Sequence, residues 1–392
     1  METTMTDRTN IRGRRAGAAC FFANGFMVGS WAPQIPELAL RFSLSESQLG
    51  LLILVFGIGG VSAMPLSGML IGAYGTRPLL RLSAILLPTA FLAVILAPTL
   101  PLLVVLLALF GAMLGAMDVS MNANAVLIER RLGRAIMSSA HGFWSLGGFV
   151  GAGVGGLVLE ANGYVFHAIA VAVAAIVLAV MAWPYLLLER RPVLEDRGKM
   201  RLPRNPAIYL VGIITLFCMA PEGAVLDWAA LYLREEMGAN IAVASLAFTA
   251  FSGAMALMRF AGDGLRNRFG AVRMLRFSGM LAVVGMIGAG LAPSAVIAIA
   301  AFALTGLGIA NMVPIAFSAA GNQPGISSSA GMSVATTIGY SGLLIAPSLI
   351  GYVAEHTGFQ VVYLGLAGLL ALVIMLAQIV APADRILSQP AE

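Results

Sequence analysis

The sequence predicts an all-α membrane protein in which twelve transmembrane helices form two parallel six-helix repeats. Hydrophobic residues make up 59% of the 392 residues and charged residues only 10%, whereas an ordinary soluble domain is about 25% charged. The chain also matches itself at an offset of 195 residues, which brings Gly75 onto Gly270 and Pro98 onto Pro293. Two copies of that length account for nearly the whole chain, so we expect no further domain.

Twelve apolar segments are long enough to cross a bilayer as helices, which takes about 17 to 25 residues each. Six of them fall in each copy, and an even number returns the chain to its starting side, so the second copy has the orientation of the first. We expect an N-terminal six-helix bundle over 1–188, a cytoplasmic linker over 189–205 and a C-terminal six-helix bundle over 206–392. The predicted spans are 16–40, 47–73, 78–98, 101–128, 137–160, 164–188, 206–234, 241–265, 272–292, 295–319, 328–354 and 359–381.

The basic residues predict the orientation, because Lys and Arg near span ends resist translocation. If the N-terminus is inside, twenty of the 23 Lys and Arg residues lie on the inner side; only Arg41 and Arg234 lie in outer loops, and Arg259 lies within span eight. We therefore expect a multi-pass protein of the bacterial cytoplasmic (inner) membrane with both termini cytoplasmic. The net charge of +5 then reflects topology, and no nucleic-acid partner is expected.

Several kinds of chemistry have no support in the sequence. Lys199 is the only lysine and lies outside any phosphate-binding Gly-rich motif, which argues against an ATPase. The run Gly151-x-Gly153-x-x-Gly156 matches a dinucleotide fingerprint but lies in an apolar span, where small residues favour close helix packing. His141, His167 and His356 lack metal-ligand spacing. We expect no enzyme activity, cofactor or metal, and as partners only a small-molecule substrate, protons and the lipid bilayer, with the protein acting as a monomer.

Charged side chains inside the spans are the main functional candidates, because each costs at least about 2.5–3.5 kcal/mol in lipid. Asp118 and Asn122 lie four residues apart on one face of span four. The run Pro221-Glu222-Gly223 in span seven predicts a broken helix of the kind that forms transporter binding sites. We expect Asp118 to carry a proton and Glu222 to bind substrate. Alternatively, Glu222 is structural and bonds to span-one backbone freed by Pro33 and Pro36.

Other polar and aromatic side chains at similar depth are candidates for the same pocket, although Trp and Tyr also favour membrane interfaces. Asp227 is an alternative pocket residue or an interfacial partner of Arg234, and Asn124, on another face of span four, is expected to join two helices. With Arg259 placed near the cytoplasmic end, the cavity has no base, which disfavours anions. The substrate and proton pathway is predicted to comprise Asp118, Asn122, Glu222, Asn24, Trp31, His141, Trp144, Asp227, Asn311 and Tyr340.

The loops after the second span of each copy carry a related motif, Gly68-Met-Leu-Ile-Gly72-Ala-Tyr-Gly75-Thr-Arg77 in the first and Asp263 to Gly270 in the second. With the twelve spans, these motifs resemble the major facilitator superfamily over essentially the whole chain, although Gly72 stands where that family usually has an acid. The resemblance implies a cytoplasmic gate that closes when the carrier opens outward, with an ion pair between Arg259 and Asp263. The implied gate residues are Gly68, Gly72, Gly75, Arg77, Arg259, Asp263, Arg268 and Gly270.

Three further runs, 118–124, 141–147 and 222–228, are similar to the bacterial fucose-permease-like branch of that family. Span five is similar to the motif of drug and proton antiporters, but Ala152 replaces their proline. The resemblance implies a secondary active transporter that works by alternating access. With the acids of the cavity, it predicts proton coupling and a small polar solute, neutral or cationic, of which a sugar-like compound is one candidate. A proton-driven drug or metabolite exporter and a transporter-like sensor remain alternatives.

Overall fold

The structure, a computed structural model, describes residues 2–132, 136–187, 205–325 and 328–388. The regular secondary structure of these residues is entirely helical, with no strand among them. Ten of the helices in this part of the chain are long and apolar enough to cross a membrane. The predicted all-α membrane class is therefore confirmed. The predicted linker, apart from Asn205, lies outside the described residues.

The N-terminal half begins with one long helix that is interrupted once and continues through four further helices. The last long helix, α6 (Met137–Ala182), contains two crossing segments, because at Gly163 the backbone (φ 81°, ψ 169°) leaves the helical conformation. The interrupted first helix, the next three helices and the two parts of the last helix together make the six crossing segments that the sequence predicts for this half. The helices are α1 (Glu2–Trp31), α2 (Gln34–Phe42), α3 (Glu46–Tyr74), α4 (Thr76–Ile95), α5 (Leu100–Leu132) and α6 (Met137–Ala182), followed by a short 3-10 helix (Trp183–Tyr185).

The C-terminal half repeats this plan. Its fourth crossing segment is interrupted after Ile309, and α11 begins again at Met312. The helices are α7 (Ala207–Glu235), α8 (Ile241–Phe269), α9 (Ala271–Gly290), α10 (Ala295–Ile309), α11 (Met312–Gly321), α12 (Ser328–Thr357) and α13 (Phe359–Leu376), followed by a 3-10 helix (Ala377–Ser388).

The offset of 195 residues holds at the level of backbone geometry. It carries both ends of α3 onto the ends of α8, and both ends of α4 onto those of α9. Gly75 and Gly270 link these pairs with φ of 83° and 79°, a conformation that only glycine adopts readily. The same offset relates Gly163 to Gly358, with φ of 81° and 83°, a pair that the sequence analysis did not single out.

One local prediction is wrong. The run Pro221-Glu222-Gly223 does not interrupt its helix, because α7 continues through it from Ala207 to Glu235. A proline within a membrane helix removes one backbone hydrogen bond, but neighbouring helices can accommodate the loss without ending the helix. Glu222 therefore projects from the middle of a continuous helix.

The two halves meet along α6 and α8, and also along α3 and α12. At one end of the bundle, here called the Glu37 end, polar contacts join the halves. The Arg234 guanidinium lies 2.6 Å from the Glu37 carboxylate. In addition, the Ser47 amide donates to Glu355 (2.9 Å) and the Ser348 hydroxyl donates to the Gly50 carbonyl (3.2 Å). The Glu37 end is thus closed between the halves.

The other end, here called the Gly75 end, is held differently. Arg81 donates to the Trp183 carbonyl (2.8 Å) within the N-terminal half. In the C-terminal half, both Asp384 carboxylate oxygens accept from the Ala271 amide at the start of α9 (2.9 Å each). These contacts stabilise each half separately.

Candidate functional site

Two of the central charged side chains come from α7 and α8 of the C-terminal half. Glu222 projects from the middle of α7 towards Arg259 of α8, and the Arg259 Nη2 atom lies 3.7 Å from the Glu222 Oε1 atom. Both side chains are largely buried, with exposed fractions of 23% for Glu222 and 12% for Arg259. The pair places a base beside the predicted acid.

Arg259 is fixed by contacts other than the acid. Its Nη1 atom donates to the Ser145 hydroxyl (2.6 Å) of α6, and its Nε atom donates to the Ala310 carbonyl (3.4 Å) between α10 and α11. The guanidinium carbon lies 6.0 Å from the centre of the Trp144 ring. The guanidinium is therefore oriented by two neutral acceptors and an aromatic face, while Nη2 is directed towards Glu222.

One prediction is therefore wrong: that the cavity has no base. Counting residues located the Arg259 Cα, but a helical side chain points back towards the N-terminus of its helix. The N-terminus of α8 lies at the Glu37 end. The long Arg259 side chain therefore extends from its Cα atom towards the middle of the bundle. The argument against anionic substrates loses its premise.

Asp118 is the acid of the N-terminal half. The Asn122 amide donates to its carboxylate (3.2 Å) and to its backbone carbonyl (2.9 Å), so the two residues share one face of α5 as predicted. Within the described residues, Asp118 has no basic partner. Tyr340 of α12 is close enough to both Asp118 and Glu222 to interact with them electrostatically.

The polar residues of α1 and α6 adjoin this group. The Trp144 indole donates to the Asn24 side-chain oxygen (2.8 Å). His141 packs edge-on against Phe21, with ring centres 5.2 Å apart, and is close enough to Arg259 for electrostatic interaction. Asn24, His141 and Trp144 thus belong to the surroundings of the Arg259 side chain.

Other predicted pathway residues lie in packing contacts. Trp31 is buried between Phe56 and Phe110, with ring centres 6.1 Å and 5.7 Å away. The Asn311 amide donates to the Met258 carbonyl (3.2 Å) and so joins the α10–α11 interruption to α8. Asn124, as predicted, joins helices: its amide donates to the Thr76 hydroxyl (2.9 Å).

Asp227 does not form the ion pair that was considered for it. Arg234 instead pairs with Glu37 of the other half, because Glu37 lies in the first turn of α2, which packs against α7. The Asp227 side chain is buried, at 8% exposure. Likewise, the described partner of Glu222 is Arg259 and not the span-one backbone near the prolines.

The predicted gate residues lie at or near the Gly75 end. Gly75 and Gly270 form the turns described above, Gly68 has open space around it, and the Arg268 guanidinium lies 5.4 Å from the Phe269 ring. The side chain of Asp263 lies outside the described residues, so its pairing with Arg259 stays a prediction. Gly72 and Arg77 belong to the same end by position, in α3 and α4.

Sequence reasoning missed Ser252, whose hydroxyl donates to the Ser145 carbonyl (2.7 Å). Ser252 and Arg259 are seven residues apart and therefore share a face of α8. That spacing was a usable signal: a serine two turns before an intramembrane arginine.

Comparisons with known proteins agree with this architecture. A sequence model described as the Major Facilitator Superfamily matches residues 17–325 and 211–391. An uncharacterized MFS-type transporter of Yersinia pestis is 34% identical over 90% of this chain and 92% of its own length. An uncharacterized transporter of Sinorhizobium fredii is 33% identical over 93% of this chain and 97% of its own. The crystal structure of a D-xylose–proton symporter superposes with a TM-score of 0.74 at 15% identity, covering 94% of this chain and 97% of that one.

Proposed function

Because the chain belongs to the major facilitator superfamily, we propose that it is a proton-coupled secondary transporter of a small polar solute, neutral or cationic. It works by alternating access in the bacterial inner membrane and acts as a monomer. The observation that carries the substrate proposal is the unequal pairing of the two central acids. Glu222 faces a guanidinium at 3.7 Å, whereas Asp118 has no basic partner among the described residues.

The charges of the site support this choice. Arg259 offsets the charge of Glu222, so the pair adds little net charge to the cavity. Asp118 can then be neutralised by a proton or by a cationic substrate, since an unpaired charge inside a membrane is costly. A neutral polyhydroxyl compound also fits, because Trp144 supplies an aromatic face and Asn122 and Tyr340 supply polar groups. In this proposal Asp118 carries the proton and Glu222 contacts the substrate.

The closed Glu37 end indicates to which side of the membrane this conformation opens. The excess of arginine at the other end predicts that it faces the cytoplasm, which puts both termini inside. Contacts such as that between Arg234 and Glu37 then close the outer side of the bundle. We propose that the structure represents an inward-facing state of the carrier.

A ligand screen tests the substrate class. Purified protein is heated with a panel of sugars, polyols, small organic cations, carboxylates and apolar drug-like cations, and the melting temperature is recorded. A ligand that binds only the folded state raises stability by about 2.7 kcal/mol at a hundredfold excess over its Kd. Stabilisation by polyols or small cations supports the proposal. Stabilisation only by apolar cations would favour the exporter alternative, and stabilisation only by carboxylates would overturn the substrate class.

A charge substitution tests the proton role. Asp118→Asn in proteoliposomes is expected to abolish accumulation of the stabilising ligand under a pH gradient but to spare exchange at equal concentrations. Glu160→Gln serves as the control, because it removes an acid at the Glu37 end, outside the cavity, while keeping an acceptor for the Ala242 amide. If Asp118→Asn still accumulated the ligand under a pH gradient, Asp118 would not be the group that carries the proton.

A further inference from the structure

Ser145 lies where the central arginine meets the boundary between the halves. It belongs to α6 of the N-terminal half and is completely buried. Its hydroxyl accepts from Arg259 Nη1 at 2.6 Å, and its backbone carbonyl accepts from the Ser252 hydroxyl at 2.7 Å. Both donors belong to α8 of the other half, so one residue receives two hydrogen bonds across the interface.

The two bonds have different consequences. The bond from Ser252 uses a backbone carbonyl, which any residue at position 145 would supply. The bond from Arg259 needs a side-chain acceptor at that position. A hydrogen bond from a charged donor is stronger than one between neutral groups. The identity of residue 145 therefore matters for Arg259 and much less for the contact between the helices.

The Ser145 bond also determines where the charge of Arg259 lies. The ion pair with Glu222 is long for a hydrogen bond at 3.7 Å, so the acid does not fix the guanidinium by itself. Among the hydrogen bonds that Arg259 makes to described residues, only the bond from Nε to the Ala310 carbonyl would remain without the Ser145 hydroxyl. The guanidinium could then turn from the Trp144 ring towards Glu222.

We propose that Ser145 is a positioning residue that holds the Arg259 guanidinium over Trp144 and limits its approach to Glu222. The position of the positive charge in the cavity therefore depends on the contact between α6 and α8. This inference rests on the proposed function only in treating the cavity as the transport site. It predicts a change in the position of a charge, which is measurable without any substrate.

The test uses Trp144 as the reporter. The fluorescence of Trp144 in the purified protein is obtained as the difference between each variant and the same variant carrying Trp144→Phe. Quenching by iodide is compared with quenching by neutral acrylamide. A fixed positive charge about 6 Å from the ring attracts iodide, and Coulomb's law in a water-like medium gives roughly a threefold local enrichment.

Ser145→Ala is expected to lower the iodide-to-acrylamide quenching ratio by up to about threefold, because the guanidinium leaves the ring. Ser252→Ala, the matched control, removes the other hydrogen bond to the same residue and should keep the wild-type ratio. In an Arg259→Gln background, Ser145→Ala should have no further effect, since interacting residues are not additive.

An unchanged ratio in Ser145→Ala, or an equal change in Ser252→Ala, would overturn the proposal. If Ser145→Ala does not fold, Ser145→Cys offers a buried side chain of similar size with a weak acceptor and carries the same expectation. Transport is not part of this readout. A failed ligand screen with a positive quenching result would therefore refute the proposed substrate class and leave the role of Ser145 intact.

Discussion

The Arg234 guanidinium of the C-terminal half lies 2.6 Å from the Glu37 carboxylate of the N-terminal half, and about one fifth of each side chain is exposed. Glu37 lies in the first turn of α2 and Arg234 in the last turn of α7. Each charge therefore sits at the helix terminus whose dipole favours it. The pair thus joins the two halves through the ends of two helices.

Loss of this pair is expected to loosen the Glu37 end. Glu37→Gln should raise labelling of a cysteine at Ser348 by an impermeant thiol reagent about fivefold, because a partly exposed ion pair contributes up to about 1 kcal/mol. The native Cys20 and Cys218, both buried, are replaced by alanine beforehand. Arg41→Gln is the control, since Arg41 lies in the same helix but bonds to the carbonyls of Ile95 and Ala97 in its own half. Equal labelling in Glu37→Gln and Arg41→Gln would contradict a closing role.

Glu222 and Arg259 are expected to stabilise the protein as a pair and not singly. Glu222→Gln leaves a largely buried guanidinium without its acid, so the melting temperature should fall, by an equivalent of about 1–3 kcal/mol. The double variant Glu222→Gln with Arg259→Gln should recover much of that loss, because no unpaired charge remains. Thermal unfolding of the purified variants measures this. Simple addition of the two single losses would show that the charges do not interact.

Asp263 is expected to hold Arg259 in the opposite, outward-open state. Arg259 donates to Ser145 of the other half in the present conformation, so pairing with Asp263 requires it to leave that hydroxyl, while Glu222, in the same half, stays beside it. Asp263→Asn should therefore favour the state open at the Gly75 end and raise labelling of a cysteine at Ser139, in the first turn of α6. Arg273→Gln removes an exposed charge near the start of α9, outside the predicted gate residues, and is the control. Unchanged labelling in Asp263→Asn would leave that acid without a gating role.

The glycine turns are expected to be sensitive for reasons of backbone conformation alone. Gly163 has open space around its Cα, but its φ is +81°, which costs a residue with a side chain about 1–3 kcal/mol. Gly163→Ala should therefore lower the melting temperature, whereas Gly365→Ala, in α13 and equally unhindered, should leave it unchanged or raise it, since alanine favours helix by about 1 kcal/mol. Equal effects of the two substitutions would contradict this explanation.

The fold was predictable because hydrophobic length and an internal repeat are properties of the sequence itself. For example, α3 and α8, the second crossing segments of the two repeats, begin and end at residues that the repeat offset relates. The site was predictable only in part. Asp118 and Asn122 lie on one helix, where spacing determines proximity. The meeting of Glu222 with Arg259 depends on how α7 packs against α8 and on the direction of a long side chain, which residue counts do not contain.

Packing between helices also explains where the structure differs from the predictions for Pro221 and Asp227. Pro221 was read as a helix break because its local effect is destabilising, but tertiary packing decided otherwise and α7 is continuous. Asp227 and Arg234 are close in sequence, yet the partner of Arg234 is Glu37, almost two hundred residues earlier. The pattern of residues within one segment does not reveal which residues meet between the two repeats.

Glu222 and Arg259 belong to the same half, as do Asp118 and Asn122, and this has a consequence for the energetics of the transport cycle. Any rearrangement that moves the halves as units carries each of these pairs along intact. The contact from Arg259 to Ser145, by contrast, crosses the dividing surface and must be broken and remade. In the proposed alternating-access cycle, the central site therefore changes partners only at neutral acceptors such as the Ser145 hydroxyl, and neither central carboxylate has to leave its neighbour in the same half.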